Sequence, residues 1–506
     1  MLLESSFVIP VIDVFAGPGG LGEGFSQLKV DGKPVFDIKL SLEKEENAHK
    51  TLTWRSFYRQ FKKNNLKLPQ EYYQAYQATS LKERERIIEG ALSSTFEGQL
   101  AMHEAKLVEL GASEWPPERV DELIINALGP NVNEWVLIGG PPCQAYSNVG
   151  RSRVGGIDPK DHRVYLYEEY LRIVEKHRPV AFVMENVQGL LSAKVNGESV
   201  FDRILEDLSL NGKYQIHSFV CEPQKPSDYL ISTDKFGVPQ TRKRVILFGL
   251  LEGMKHNDEY LKPSKPVTLQ DALQGLPKVR SGIGKVEKGG TRLNVRDSKV
   301  LWQSCIQDSI SLLEPKFGST MSELDFEATG LSGIGSEYVP CKRGVPGFSV
   351  ELKKWYGVDR RLKGVANFQS RTHLDKDLTR YLYAALVAGS EGRSPLLHEM
   401  VESVPQLSPA HQSASRGVFK DRFKCQRWNA PASTVTSHIS KDGHYFIHPD
   451  PAQCRSLVVR EAARIQTFPD DYLFRGSRTA QFRQVGNAVP PLLAHKIASV
   501  VHNNIK

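Results

Sequence analysis

Apolar residues in this chain gather into short β-branched runs, each followed by a glycine-rich or polar break and then by helical spacing. Residues 8–15 (VIPVIDVF) form the first run, too short for a helix and rich in Val and Ile. It stops at Ala16-Gly17-Pro18-Gly19-Gly20, and residues 21–28 resume with helical character. Runs at 36–42, 135–138, 180–184 and 244–248 predict further strands, with helices at about 162–176 and 201–210 between them. Strand alternating with helix predicts an α/β fold with a doubly wound, largely parallel sheet.

Two stretches break this rhythm. Residues 57–128 carry charged segments with apolar residues at helical spacing, as in Leu81-Lys82-Glu83-Arg84-Glu85-Arg86-Ile87-Ile88, and predict a helical insertion. Residues 255–455 are richer in Gly, Pro and Ser, with one helix predicted near 377–387. Helices return at 459–466 and 491–502. The expected organisation is an α/β domain over 1–254, a second, smaller and irregular domain over 255–455, and a C-terminal segment, 456–506, that completes the first.

Composition narrows the class. The chain has 506 residues, 40% hydrophobic and 25% charged, which excludes a disordered or collagen-like polymer. No apolar run approaches the ~18–20 residues of a membrane span, and the N-terminus reads as a buried strand rather than a signal peptide. A net charge of +8 permits a polyanionic partner without demanding one. The cysteines (Cys143, Cys221, Cys305, Cys341, Cys425 and Cys454) form no CxxC pair or zinc-spaced cluster, which predicts a reducing compartment and no metal site.

Five segments could carry chemistry. Gly17, Gly19 and Gly22 fit G-x-G-x-x-G after the first strand, and Glu43 ends the next strand, where a carboxylate can accept ribose hydroxyls. That pattern alone does not separate a dinucleotide from S-adenosylmethionine. Gly139-Gly140-Pro141-Pro142-Cys143-Gln144-Ala145-Tyr146-Ser147 follows a strand, so its loop lies over the crevice, and two prolines stiffen the approach to the Cys143 thiol. Met184-Glu185-Asn186-Val187 puts a carboxylate at another strand end. In Gln240-Thr241-Arg242-Lys243-Arg244, alternation sends both arginines to one side. Gln484-Val485-Gly486-Asn487-Ala488-Val489-Pro490-Pro491 enters the last helix. Taken singly, each has an ordinary reading as a turn, a cap or a solvated edge.

In this order the segments resemble the cytosine-C5 DNA methyltransferase family, whose DVFAGPGG, GGPPCQAYS, MENV, QTRKR and GNAVPP motifs the chain carries; residues 460–469 (REAARIQTFP) are similar to its penultimate motif. The resemblance covers roughly residues 8–55, 130–255 and 425–500. It implies a Rossmann-like S-adenosylmethionine-dependent catalytic domain, with 255–455 as target-recognition domain. It implies methyl transfer to cytosine C5 in a specific double-stranded DNA sequence, through base flipping and a covalent bond from Cys143 to C6. Glu185 is then the acid at ring N3, with Arg242 and Arg244 contacting O2 or orienting the carboxylate. Phe15, Gly17, Gly19, Gly20, Leu21, Glu43, Pro141 and Asn487 line the S-adenosylmethionine site, and Gln144 and Ser147 touch DNA. No metal is required. The family's Gly-Asp-Ile segment, which puts an acid on the cofactor adenine, is not evident before Trp135; Glu114 and Asp121 are the candidates.

The resemblance further implies a cytoplasmic, nucleoid-associated monomer, working with a restriction or phage-defence protein and without a membrane. A tRNA cytosine methyltransferase and a silent DNA-binding regulator are the alternatives. Retention of both Cys143 and Glu185 argues against the second. Residues 369–373 and 420–424 are basic candidates for DNA contact.

Overall fold

The computed structural model describes residues 8–130, 132–142, 166–195, 197–327, 331, 333–341, 350–357, 359–409 and 422–505. Its centre is an eight-stranded sheet among the described residues, built from β1 (Ile9–Val14), β2 (Phe36–Glu43), β3 (Ala105–Leu107), β4 (Val136–Gly139), β5 (Ala181–Val187), β6 (Tyr214–His217), β7 (Leu230–Ser232) and β8 (Lys243–Leu251). The order is β6-β8-β5-β4-β1-β2-β3, with β7 also paired to β8. Strands β1 to β5 pair in parallel, and β8 runs antiparallel to β5.

Period-2 alternation divides each central strand between the two faces of the sheet. Ile12, Val14, Leu137, Phe182, Met184, Val245 and Leu247 join one buried cluster. Val11, Val136, Ile138, Ala181, Val183, Ile246 and Phe248 join the other, with Leu493 and Ile497 of the C-terminal helix. That helix, Pro491–Asn504, lies against α1 (Gly20–Ser26) at a contact that needs glycine: a Cβ on Gly24 would stand 2.4 Å from that of Ala494. The C-terminal helix thus packs on the central sheet and on α1.

The helical texture over 57–128 is only partly an insertion. Helix α2 (Glu46–Lys63) begins earlier, β3 interrupts the run and extends the sheet beside β2, and Val120 and Ile124 of Pro117–Leu128 enter the main core. Three charged helices and a three-residue strand give too short an apolar run for the strand to stand out. The added unit is α3 (Gln70–Gln77), α4 (Leu81–Ser94) and α5 (Phe96–Glu104). It is not a solvated hairpin: Tyr72, Tyr76 and Ile88 share a core with Trp54 and Phe57 of α2 and with Tyr338 and Ala366. Arg84 is fully buried and donates to Glu337 Oε2 at 2.6 Å and to its carbonyl at 3.0 Å. Removing one member of such a pair strands the other charge, so Arg84→Ala is expected to lower unfolding free energy by about 3–5 kcal/mol in denaturant titrations. Arg84→Met with Glu337→Met is expected to recover part of that loss.

The middle region is more regular than its composition suggests. Lys299–Phe317 is a helix burying Trp302, Cys305, Ile306 and Leu313 against Leu378, Tyr381 and Leu382 of the helix Asp375–Glu391. Gly335–Pro340 and Gly364–Gln369 form an antiparallel pair that receives the α3–α4 unit. Leu269–Leu273 and Val435 pack instead with residues 459–485.

Candidate active site

Strand register sets the site. Leu42 pairs with Val14, Val14 with Gly139, and Gly139 with Met184, so four neighbouring parallel strands end in one line. The residues that follow (Glu43, Phe15, Gly140 and Glu185) therefore share the carboxyl edge, where open α/β sheets bind ligands.

On the β1 side the backbone turns sharply. Phe15, Gly17 and Gly19 have φ of 54°, 58° and 93°, the left-handed region that glycine adopts without steric cost. Gly20 is needed for a different reason: a Cβ there would stand 2.3 Å from the Val489 carbonyl oxygen, so the first and last motifs touch through it. Leu21 is buried beside them, and Asn487 is exposed at the end of Arg478–Asn487. Gly17 N donates to Glu43 Oε2 and Glu45 N to Oε1, both at 2.7 Å. Burial pushes the Glu43 carboxyl up, opposed by those backbone donors. Lys44 N–H also faces this carboxylate, which still keeps acceptor capacity for a hydroxyl, and nothing lies within 4 Å of a Cβ built on Gly17. An adenosyl ribose fits this arrangement.

Asp13, just before the turn, is fully buried, and desolvation pushes it up to about 8 against the pull of Arg59 and Gly22 N–H. The unfolded chain, near the ordinary 3.8, releases this proton first, so the group subtracts stability as pH rises from there to about 8. Asp13→Asn is therefore expected to raise the unfolding free energy in denaturant titrations more at pH 9 than at pH 5, by a difference on the order of a few kcal/mol. Equal shifts at the two values would refute this.

On the β5 side Arg244 Nε meets Glu185 Oε1 at 2.7 Å, both side chains mostly buried. A Cβ on Gly140 would stand 3.0 Å from Glu185 Oε2, so the loop leaving β4 passes directly over the carboxylate. Pro141 is buried, and its carbonyl accepts from Asn186 Nδ2 at 3.5 Å. Cys143, Gln144 and Ser147 lie outside the described residues. A cleft of about 340 Å³ opens beside the Glu185–Arg244 pair, lined by Gln188, Gly189, Thr241, Lys243 and Thr434 among others. Thr434 was missed by sequence reasoning, since it stands far along the chain from the motifs; its hydroxyl donates to the Thr241 carbonyl at 2.6 Å.

Arg242 lies within electrostatic reach of Arg244 and Glu185, yet the two arginines bind different partners. Arg242 falls in the break between Gln240–Thr241 and β8, so simple alternation does not apply. It is buried, donating to the carbonyls of Val435 at 2.8 Å and Gly486 at 3.2 Å, and thereby ties the last motif to the loop at Val435. Asp121 is engaged by Arg172 at 2.7 Å and His177 at 2.8 Å. Glu43 pairs with Leu107, the last residue of β3, and the carboxylate that follows that strand is Glu109, exposed and 3.0 Å from Lys44 Nζ. Residues 369–373 are not a DNA-facing loop: Arg371 is buried on the carbonyls of Ile439, Ser440 and Lys441, and His373 is buried beside Tyr381. Arg422 pairs with Asp442, and Phe423 is buried; residues 420 and 421 lie outside the described set.

A mostly parallel sheet with a glycine turn, a carboxylate beside it and a Glu–Arg pair on one edge defines a Rossmann-like α/β domain with its ligand crevice at that edge. Residues 130–503 match the C-5 cytosine-specific DNA methylase family. The type II methyltransferase M.Bpa9945I of Bacillus paralicheniformis is 34% identical over 516 aligned residues, spanning 98% of this chain and 99% of its own length. M.AgeI of Thalassovita gelatinovora, another type II methyltransferase, is 30% identical over 72% of this chain and 82% of its own. A crystal structure of a protein assigned as a DNA modification methyltransferase, from an E. coli prophage, superposes with a TM-score of 0.53 at 19% identity, covering 98% and 99% of the two chains. This last likeness concerns the fold alone. The chain belongs to the C-5 cytosine-specific DNA methylase family. It is an enzyme that methylates C5 of cytosine in DNA. Among the described residues no helix is long and apolar enough to cross a membrane.

Proposed function

We propose that the enzyme methylates one cytosine within a specific double-stranded DNA sequence, with Cys143 as nucleophile and Glu185 as acid. The observation that carries this is the Glu185–Arg244 pair directly under the Gly140-Pro141-Pro142 segment that leads to Cys143. Bound S-adenosylmethionine supplies an electrophilic methyl group. Phe15, Gly17, Gly19, Gly20, Leu21, Pro141 and Asn487 enclose it, and Glu43 accepts its ribose hydroxyls. Glu109 is the acid on its adenine side, in place of Glu114 and Asp121.

The chain's own residues make C5 reactive. The Cys143 thiolate adds to C6 of the cytosine, and the ring electrons move toward N3, where Glu185 delivers a proton. Arg244 holds the Glu185 carboxyl in place and faces the charge developing at O2. Arg242 acts through the backbone it ties together. After methylation C5 loses its proton to a base, and the C6–S bond breaks to restore the aromatic ring. A duplex hides C6, so the base must leave the stack. Lys243, Thr241, Thr434 and Gln188 suit the backbone phosphate of that displaced nucleotide, and Gln144 and Ser147 contact the DNA beside it. The catalytic domain comprises 1–254 and 456–506, and the region between reads sequence. The names of the type II relatives support a restriction or defence partner, and the reading extends to a cytoplasmic, nucleoid-associated enzyme that acts as a monomer.

The test is transfer of labelled methyl from S-adenosylmethionine to mixed-sequence duplex DNA, with tRNA in parallel, followed by mapping of methylcytosine. Label in DNA at one recurring sequence is the expected result. Label in tRNA alone, or in DNA at cytosines without shared flanks, would contradict the reading.

A further inference from the structure

The turn at Asp470–Tyr472 follows the segment similar to the family's penultimate motif, yet it reaches the glycine turn at the opposite end of the chain. The Tyr472 hydroxyl donates to the Pro18 carbonyl. A Cβ on Gly19 would stand 3.0 Å from that hydroxyl and 2.7 Å from Leu52 Cδ1 of α2, so both side chains close around the turn at its left-handed residue. Arg55 of α2 fixes the next position: it grips Glu23 of α1 with two hydrogen bonds, at 2.6 and 2.9 Å, and reaches Asp471 Oδ1 at 3.0 Å. Its guanidinium also lies 4.9 Å from the centre of the Tyr472 ring. Behind these contacts, Tyr72 and Tyr76 of α3 donate to the carbonyls of Asp471 and Asp470 at 3.1 and 2.7 Å.

Three parts of the chain thus meet at one buried clasp: the glycine turn with α1, the helices α2 and α3, and the turn 470–472. A turn with several left-handed residues is held by its surroundings rather than by its own preferences. We propose that Tyr472 and Arg55 are positioning residues for cofactor binding, holding residues 17–20 in the conformation that receives S-adenosylmethionine. The inference rests on the reading of residues 15–21 and Glu43 as the cofactor site.

The experiment measures S-adenosylhomocysteine affinity by calorimetry, and kcat and KM for both substrates, in the full chain and in Tyr472→Phe, Arg55→Lys and Tyr72→Phe. Tyr72→Phe removes a hydrogen bond to the same turn without touching the glycine turn, and so reports a merely structural effect. Tyr472→Phe is expected to weaken cofactor binding roughly five- to tenfold, the loss of one hydrogen bond. The cofactor KM should rise in step, with kcat at saturating cofactor and the KM for DNA unchanged. Arg55→Lys, which loses the two-pronged grip, should follow the same pattern, and Tyr72→Phe should stay within about twofold of wild type. Equal affinity in Tyr472→Phe and wild type, or equal losses in Tyr472→Phe and Tyr72→Phe, would overturn the inference. A wild-type chain that binds no S-adenosylhomocysteine would overturn the cofactor-site reading itself.

Discussion

Cys143→Ala is expected to lose methyl transfer by at least about 10⁴-fold, the scale on which removing a covalent nucleophile acts. Carbon C5 of an intact cytosine ring has too little electron density to attack a methyl donor. Only addition at C6 gives it enamine character, and no other group near the Gly140–Pro142 approach offers a comparable nucleophile in the sequence. DNA binding in a gel-shift assay should survive the change, because the alanine removes one sulfur atom and no charge that holds the duplex. Residual turnover within about a hundredfold of wild type would mean that another group, or no covalent bond at all, opens the ring.

The second large effect belongs to Glu185. Glu185→Gln keeps the shape of the side chain and can still meet Arg244, but it can neither deliver nor take back a proton. Single-turnover methylation should slow by about 10²–10⁴-fold, as for loss of a general acid, while the affinity for cofactor stays near that of wild type. The split matters because Glu185 and Glu43 stand on the same edge of the sheet. A Glu185→Gln enzyme that failed by losing its cofactor would place Glu185 in the wrong half of the crevice. The 2.7 Å contact to Arg244 adds a companion expectation. Arg244→Gln should slow the same step and leave the cofactor KM alone.

Much of this architecture could be read before any coordinates. The strands 9–14, 36–43, 136–139, 181–187 and 243–251 are visible because their central residues are buried on both faces and read as short runs dominated by apolar residues. Glycines announce the turn at 17–20, and strand ends announce Glu43 and Glu185. Short edge strands were not legible. Ala105–Leu107 has three residues, with Leu107 exposed, and follows a helix without any break. Lys299–Phe317 was missed for the opposite reason: Val300 is 76% exposed, and apolar residues around the whole helix blur its period. Arg242 looked like a twin of Arg244, and only the break between two strands turns it inward to backbone carbonyls. Arg371 had the same fate, a charge whose partners are main-chain oxygens about 70 residues away, which no local pattern encodes. Tyr472 and Arg55 belong to this class of long-range contact as well.

The measurement that bears most directly on the central claim uses a duplex carrying 5-fluorocytosine at the mapped target position, incubated with the enzyme and S-adenosylmethionine. Fluorine at C5 cannot leave as a proton, so elimination stops and the bond from sulfur to C6 persists. The account predicts a denaturation-resistant complex with a mass equal to enzyme plus methylated duplex strand, whose cross-linked peptide contains Cys143. Robust methylation of the unmodified duplex with no such complex, or a cross-link at any other residue, would contradict it.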